Sequence, residues 1–422
     1  MTTDTWEFDF FYSVPFWAAL IVVATLARLA GSRARLKSGL LIVSSSALLL
    51  ALPQFGARDL AVVWVFASVT WFVAHALARP GLVTDPRKRR GLAASGILAV
   101  LCFLAFFKYR FLQDLLLGWP GIPPVGASRI LFLLGVSYSS FKVIHVLVEA
   151  YRQAIPGIDP LTYLNYITFF PAFISGPINR YPHFAEQLAL DGRRSLRADL
   201  ATGGQRIVHG LFKKLVLVQL VYPHILTQRM TASGTASAPD LAIGLYTYAL
   251  YTYFDFAAYS DLAIGGARLL GVELPENFDR PFFQRNIREL WSHWHMSFTS
   301  WLVEYIYWPV VRSLRNLDFF RTRPVTLSIV GMNVTFLACG AWHGEGLNFI
   351  LWGLYHGVGI SIAQVYQRQK KRIRSRALQR YFASPASRAV GAFGTFHFFV
   401  AGLTLFALDL GQLRALLASL AR

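Results

Sequence analysis

Long apolar runs separated by short basic clusters constrain this chain more than any other feature. "SVPFWAALIVVATLA" (13–27), "LAVVWVFASVTWFVAHALA" (60–78) and "GLAASGILAVLCFLAFF" (91–107) approach the length at which a helix crosses a bilayer, about 20 residues. Only 15% of the residues are charged and 55% are hydrophobic, against about a quarter charged in soluble domains. The pattern specifies an all-α polytopic integral membrane protein. The formal net charge of +19 would suit a nucleic-acid binder, but its distribution argues otherwise. The basic residues gather between the apolar runs, as in "RLAGSRARLK" (28–37), "RKRR" (87–90), "RTR" (321–323) and "QRQKKRIRSRALQR" (367–380). Short basic loops mark the cytoplasmic side of a membrane, so membrane lipid rather than nucleic acid is the expected partner.

Counting runs against that charge rule predicts about ten transmembrane helices, near 12–29, 39–53, 58–78, 91–107, 128–152, 207–225, 241–266, 325–343, 346–366 and 388–410. Both termini then fall outside. The acidic start "MTTDTWEFDFFY" lacks the positive segment of a signal peptide, so no cleaved targeting segment is expected. "YITFFPAFISGPINRYPHF" (166–184) is apolar but interrupted by proline and glycine. Irregular backbone survives at membrane depth only when buried in protein or lining a cavity, which predicts a re-entrant element. Segment 275–311 mixes arginine and glutamate with many aromatics, the pattern of amphipathic helices lying in the membrane interface. With no repeat and no linker, residues 1–422 read as a single membrane domain.

Ionisable groups within apolar segments are costly and usually face a cavity or a partner. They are His145, Asp255, Asp261, His343, Glu345, His356 and His397, with His293 and His295 on the amphipathic stretch. His343 is the sharpest, in "GAWHGEG", flanked by Gly340 and Gly344 that let another chain approach closely. A neutral imidazole there can act as a general base or serve as a structural hydrogen-bonding group. His293 and His295 are two positions apart, and on one helix they would point to different sides; no third ligand is spaced to complete a metal site. Cys339 shares a helical face with His343, either as an activated nucleophile or as a small apolar filler. Asp255 and Asp261, six positions apart, do not form a paired-carboxylate site and read as structural. Nucleotide-binding, zinc-protease and serine-hydrolase templates find no match.

"FFPAFISGPINRYPHF", "YFDFAAYSDLAIGGARLLG", "NFDRPFFQRNIRELWSHWHMSFTSWLVEYIYWPV" and "GAWHGEGLNFILWGLYHG" occur in that order. Together they resemble the bacterial branch of the membrane-bound O-acyltransferase family, over a core from about residue 90 to 366. The wording of "FLLGVSYSSFKVIHVLVEAYR" and "FISGPINRY" is most similar to the D-alanyl-transferring branch. Members that O-acetylate alginate, cellulose or peptidoglycan share the same core motifs. The chain departs from the family in carrying Ser292 and His293 where two basic residues are common, and "DFAAYSD" where "DFSGYSD" is common.

The resemblance implies helices around a central tunnel, with His343 (W-H-G) catalytic and His295 (W-H-x-S) as a second functional histidine. It also implies that Asn277, Trp294, Ser297, Tyr305 and Trp342 line the substrate tunnel. No bound cofactor or metal is expected. The implied donor is a cytoplasmic thioester, carried by a phosphopantetheine acyl carrier protein or, for acetylation, as acetyl-CoA. The implied recipients are a membrane-anchored extracytoplasmic partner and an envelope polymer, and the implied location is the bacterial cytoplasmic membrane. Two other classes fit the composition: a transporter or proton channel using buried histidines, and a non-catalytic scaffold that would retain function when His343 is replaced.

Overall fold

A computed structural model of the chain describes residues 13–30, 33–117, 134–189, 195–228 and 238–420. The acidic start, residues 128–133 of the expected fifth span and part of the basic cluster at 192–197 lie outside the described residues. Among the described residues the architecture is helical throughout, with no strand. The chain forms two compact units, residues 1–211 with 259–275, and residues 212–258 with 276–422.

In the first unit, α1 (Val14–Leu29), α2 (Ala34–Leu50), α3 (Ala57–Ala78), α4 (Pro86–Lys108) and α5 (Arg110–Leu117) precede α6 (Val136–Tyr151). Helix starts follow cap chemistry: Asp85 accepts from the Arg87 N–H with Pro86 at the first turn, and Asp159 does the same for Thr162. α6 is buried along nearly its whole length, between α3 and α4. The proline-rich segment 166–184 is irregular, as expected. α7 (Pro160–Thr168) gives way to a tight turn at Phe170–Ala172 and an extended stretch before α8 (Tyr181–Ala189). Tyr166, Phe169, Phe170, Phe173 and Phe184 are all fully buried. At Gly176 a Cβ would meet the Ala172 Cα at 2.6 Å, so only glycine fits that turn. α9 (Leu196–Phe212) is tied in by buried charge: Arg206 donates to Asp261 at 2.6 Å, and Arg28 to Asp199 at 2.9 Å.

The second unit holds most of the motif-bearing segments. α10 (Ala238–Leu269) contributes residues up to Ala258 to it. α11 (Ile287–His293) and α12 (Met296–Leu302) follow, and α12 runs into a wide π-type turn over Val303–Tyr307. α13 (Pro324–His343) and α14 (Leu347–Lys371) form an antiparallel hairpin, followed by α15 (Arg376–Ala383) and α16 (Pro385–Ala407). The hairpin packs through glycine. A Cβ on Gly340 would collide with the Phe349 carbonyl oxygen, and one on Gly353 with that of Phe336. Small residues thus set the interhelical distance, as is usual between membrane helices.

Among the described residues, five helices are long and apolar enough to cross a membrane: α3, α4, α13, α14 and α16. They coincide with five of the ten expected spans. Of the rest, α1 is apolar but has 16 residues. α2 has 17 residues, α6 is described over 16, and the run near 207–225 is divided by a π-type turn at Lys213–Val218. α10 reaches 32 residues but dilutes its apolar character with Asp255, Asp261 and several tyrosines and threonines.

Candidate functional site

The second unit encloses a cavity of about 460 Å³. Its wall on α13 consists of Ser328, Met332, Thr335, Phe336, Cys339 and His343. Steps of three and four residues place all six on one helical face. From Ser328 to His343 that face is about 22 Å long at 1.5 Å rise per residue, so the cavity is a slot parallel to α13. Trp352, Ile360 and Gln364 of α14 face it, and Phe399, Leu403 and Phe406 of α16 close another side.

His343 is the last residue of α13, and the chain reverses at once through Gly344-Glu345-Gly346. A Cβ on Gly344 would run into the Phe349 ring, so this sharp reversal requires glycine. It brings Trp352 back against His343, with ring centroids 5.0 Å apart and nearly perpendicular. Phe406 stands at 4.9 Å and Trp342 at 4.6 Å. The imidazole therefore sits in an aromatic collar at one end of the slot.

His295 lines the same cavity. It does not share a helix with His293, because α11 ends at His293 and His295 adopts a left-handed backbone, φ +44° and ψ +52°. That conformation costs a non-glycine residue about 1–3 kcal/mol and needs external support. Asn277 supplies it. Its carbonyl accepts the Met296 N–H at 2.9 Å, and its side-chain oxygen accepts the Ser297 hydroxyl at 2.6 Å. The Asp279 N–H donates to the His293 carbonyl on the other side of the break. Phe256 meets the His295 ring edge-on at 4.6 Å. Burial pushes the His295 pKa down to about 3, so the imidazole is neutral near pH 7, with one nitrogen a donor and the other an acceptor. His293 turns elsewhere, its Nδ1 2.8 Å from the Glu289 carbonyl. Among the described residues no three His, Cys, Asp or Glu side chains cluster closely enough to hold a metal.

The other candidates divide by position. Trp294 lines the cavity. Asn277 and Ser297 are buried behind it and hold the His295 turn. Trp342 packs on Phe298 at 4.6 Å, beside His343. Tyr305 packs against Trp301 at 5.3 Å, while Tyr307 lines the cavity. The wide turn over 303–307 shifts the helical register, so the position facing the slot is not the one regular spacing would choose.

The other ionisable residues of the apolar segments do not line the slot. Lys214 pairs with Asp255 at 2.5 Å. His145 accepts the Tyr181 N–H at 3.0 Å, and His397 Nδ1 lies 2.7 Å from the Phe393 carbonyl. His356 is fully buried against Trp291, Trp352 and Tyr355. Glu345 is exposed beside the glycine reversal. Of these groups only His295 and His343 share the slot. Sequence reasoning missed Arg288, Gln364 and Phe406, which also line it. A signal did exist on α13, where Ser328, Thr335, Cys339 and His343 recur along one face of the helix.

Residues 91–406 match the membrane-bound O-acyltransferase family, a stretch that reaches past residue 366 to include Phe406. Teichoic acid D-alanyltransferase of Streptococcus thermophilus is 30% identical over 303 residues, covering 69% of this chain and 72% of its own. The Bacillus subtilis protein of the same name is 29% identical, over 75% of this chain and 79% of its own. A protein named "Probable alginate O-acetylase" from Azotobacter vinelandii is 28% identical, over 71% of this chain and 58% of its own.

Proposed function

The chain belongs to the membrane-bound O-acyltransferase family and is an acyltransferase, and from that premise we propose that it moves an acyl group, D-alanyl first, from a cytoplasmic thioester to a hydroxyl presented from the opposite side of the bacterial cytoplasmic membrane. The observation that carries the reading is the common slot: among the described residues, His295 and His343 are the two histidines that line one elongated cavity. An elongated cavity suits a slim pantetheine-type arm, whether on a carrier protein or in acetyl-CoA. His343, at the end of the slot, accepts the proton of the acceptor hydroxyl. The oxygen attacks the thioester carbonyl, the C–S bond breaks, and the proton passes from the imidazolium to the departing thiolate. The products are an oxygen ester and a free thiol. Neutral His295, further along the wall, offers a hydrogen bond to the arm. Holding donor and acceptor end to end makes the encounter effectively intramolecular, an advantage of about 7 kcal/mol or more when alignment is good.

Basic clusters at 87–90, at the start of α4, and at 321–323 suit an acidic carrier protein or the phosphates of coenzyme A through steering that salt weakens. The recipient is a membrane-anchored extracytoplasmic partner that passes the group to an envelope polymer. Names among the relatives favour D-alanyl transfer to teichoic acid and, second, acetyl transfer to a polysaccharide. The test expresses wild-type, His343→Ala and His295→Ala chains at matched membrane levels in the native host and identifies what mild base releases from the envelopes. D-alanine lost with His343→Ala supports the first reading, and acetate lost instead moves the chain to polysaccharide acetylation. Unchanged release of both would remove His343 from catalysis.

A further inference from the structure

Between Glu345 and Asp409 the chain contains no acidic residue, yet seven Lys and Arg fall within 368–380. This cationic stretch joins two helices long enough to cross a membrane, α14 and α16. Among the described residues no carboxylate pairs with any of the seven; the one contact of this kind is Lys370 over the Phe382 ring at 4.4 Å. α15 begins at the C-terminal end of the stretch, and every residue from Arg374 to Tyr381 is exposed.

α15 is two-faced. Leu378, Tyr381 and Phe382 follow each other at helical spacing, with Leu378 46% and Tyr381 47% exposed. Arg376 and Arg380, four apart, form a basic stripe beside them. An uncovered eight-residue helix is too short to hold in water, where isolated helices need about 12–15 residues. Something must cover the apolar face, and its surface must also be acidic. Position identifies it. Four residues separate α15 from the end of α14, and Ser384 alone separates it from α16, so the helix is pinned where two spans leave the bilayer. A carrier protein would match the charge but not an apolar face held in the plane of the membrane surface.

We propose that α15 is a surface anchor lying on the bilayer, with Leu378 and Tyr381 in the acyl boundary and the flanking cations on acidic phospholipid headgroups. The test uses the full chain in lipid nanodiscs and follows amide hydrogen exchange across residues 376–383. In discs containing phosphatidylglycerol, exchange of this segment slows about tenfold relative to phosphatidylcholine discs. The R376E/R380E variant loses that difference, while exchange in α13 and α14 stays unchanged and shows the fold intact. Equal exchange of the wild-type chain in both lipids would overturn the proposal, as would full protection retained by the charge-reversed variant. Protection in phosphatidylcholine discs that requires an added acidic carrier protein would also overturn it, making α15 a protein dock.

Discussion

His295 shows how a strained backbone can aim a candidate side chain. Its left-handed conformation turns the imidazole into the slot and is held by hydrogen bonds from Met296 and Ser297 to Asn277. A β-carbon is unfavourable at such a φ, so two truncations should differ in stability. His295→Gly removes the ring and relieves the backbone, whereas His295→Ala removes the ring and keeps the strain. The glycine variant should be more stable than the alanine variant by about 1 kcal/mol, read as thermal unfolding in detergent, with acyl transfer impaired in both. Equal stability would mean that the 295 turn is not strained. This residue also marks a limit of sequence reading. "SHWHMS" shows the histidines but not the break between them, because the break depends on Asn277, eighteen positions earlier in the chain.

At the scale of elements, the α13–α14 hairpin places His343 by allowing two backbones to meet closely. Adding a methyl group at Gly340 forces it against the Phe349 carbonyl, and overpacking of this kind costs about 1–3 kcal/mol. Gly340→Ala should lower the unfolding temperature by several degrees. It should also reduce transfer, since His343 is three residues further along and Trp352 lies on the opposing helix. Gly394→Ala is the matched control: it sits in α16 with nothing within 4 Å of a new Cβ, so it should be neutral or slightly stabilising. If both variants behaved alike, the glycine contact would not set the hairpin. The hairpin was legible as two apolar runs broken by Gly344 and Gly346, with small residues facing inward. The register of the wide turn at 303–307 was not, because π-type turns have no period of their own and depend on what packs against them. Tyr305, which the resemblance implied for the tunnel, packs on Trp301, and Tyr307 lines the slot.

For the whole molecule, charge rather than packing carries the orientation. Apolar length made the helical class and five of the spans readable at once. The other expected spans are short or polar, and hydropathy alone does not separate a membrane span from a buried helix that leans on ion pairs such as Lys214–Asp255. Sidedness has a more local logic. α13 begins just after Arg321 and Arg323, while α14 ends among Arg368, Lys370 and Lys371. In an antiparallel hairpin these ends lie on the same side, and both are basic, which predicts that they face the cytoplasm. α16 starts from that side, so residues beyond Ala407 emerge on the other. Intact cells carrying the A377C or R414C variant, each with Cys102→Ser, should therefore take up an impermeant maleimide at position 414 only. Position 377 should label after the membrane is permeabilised. Labelling of 377 alone in intact cells would invert the orientation and put the basic loops where no cytoplasmic carrier could reach them. Labelling of both would mean that α16 does not cross.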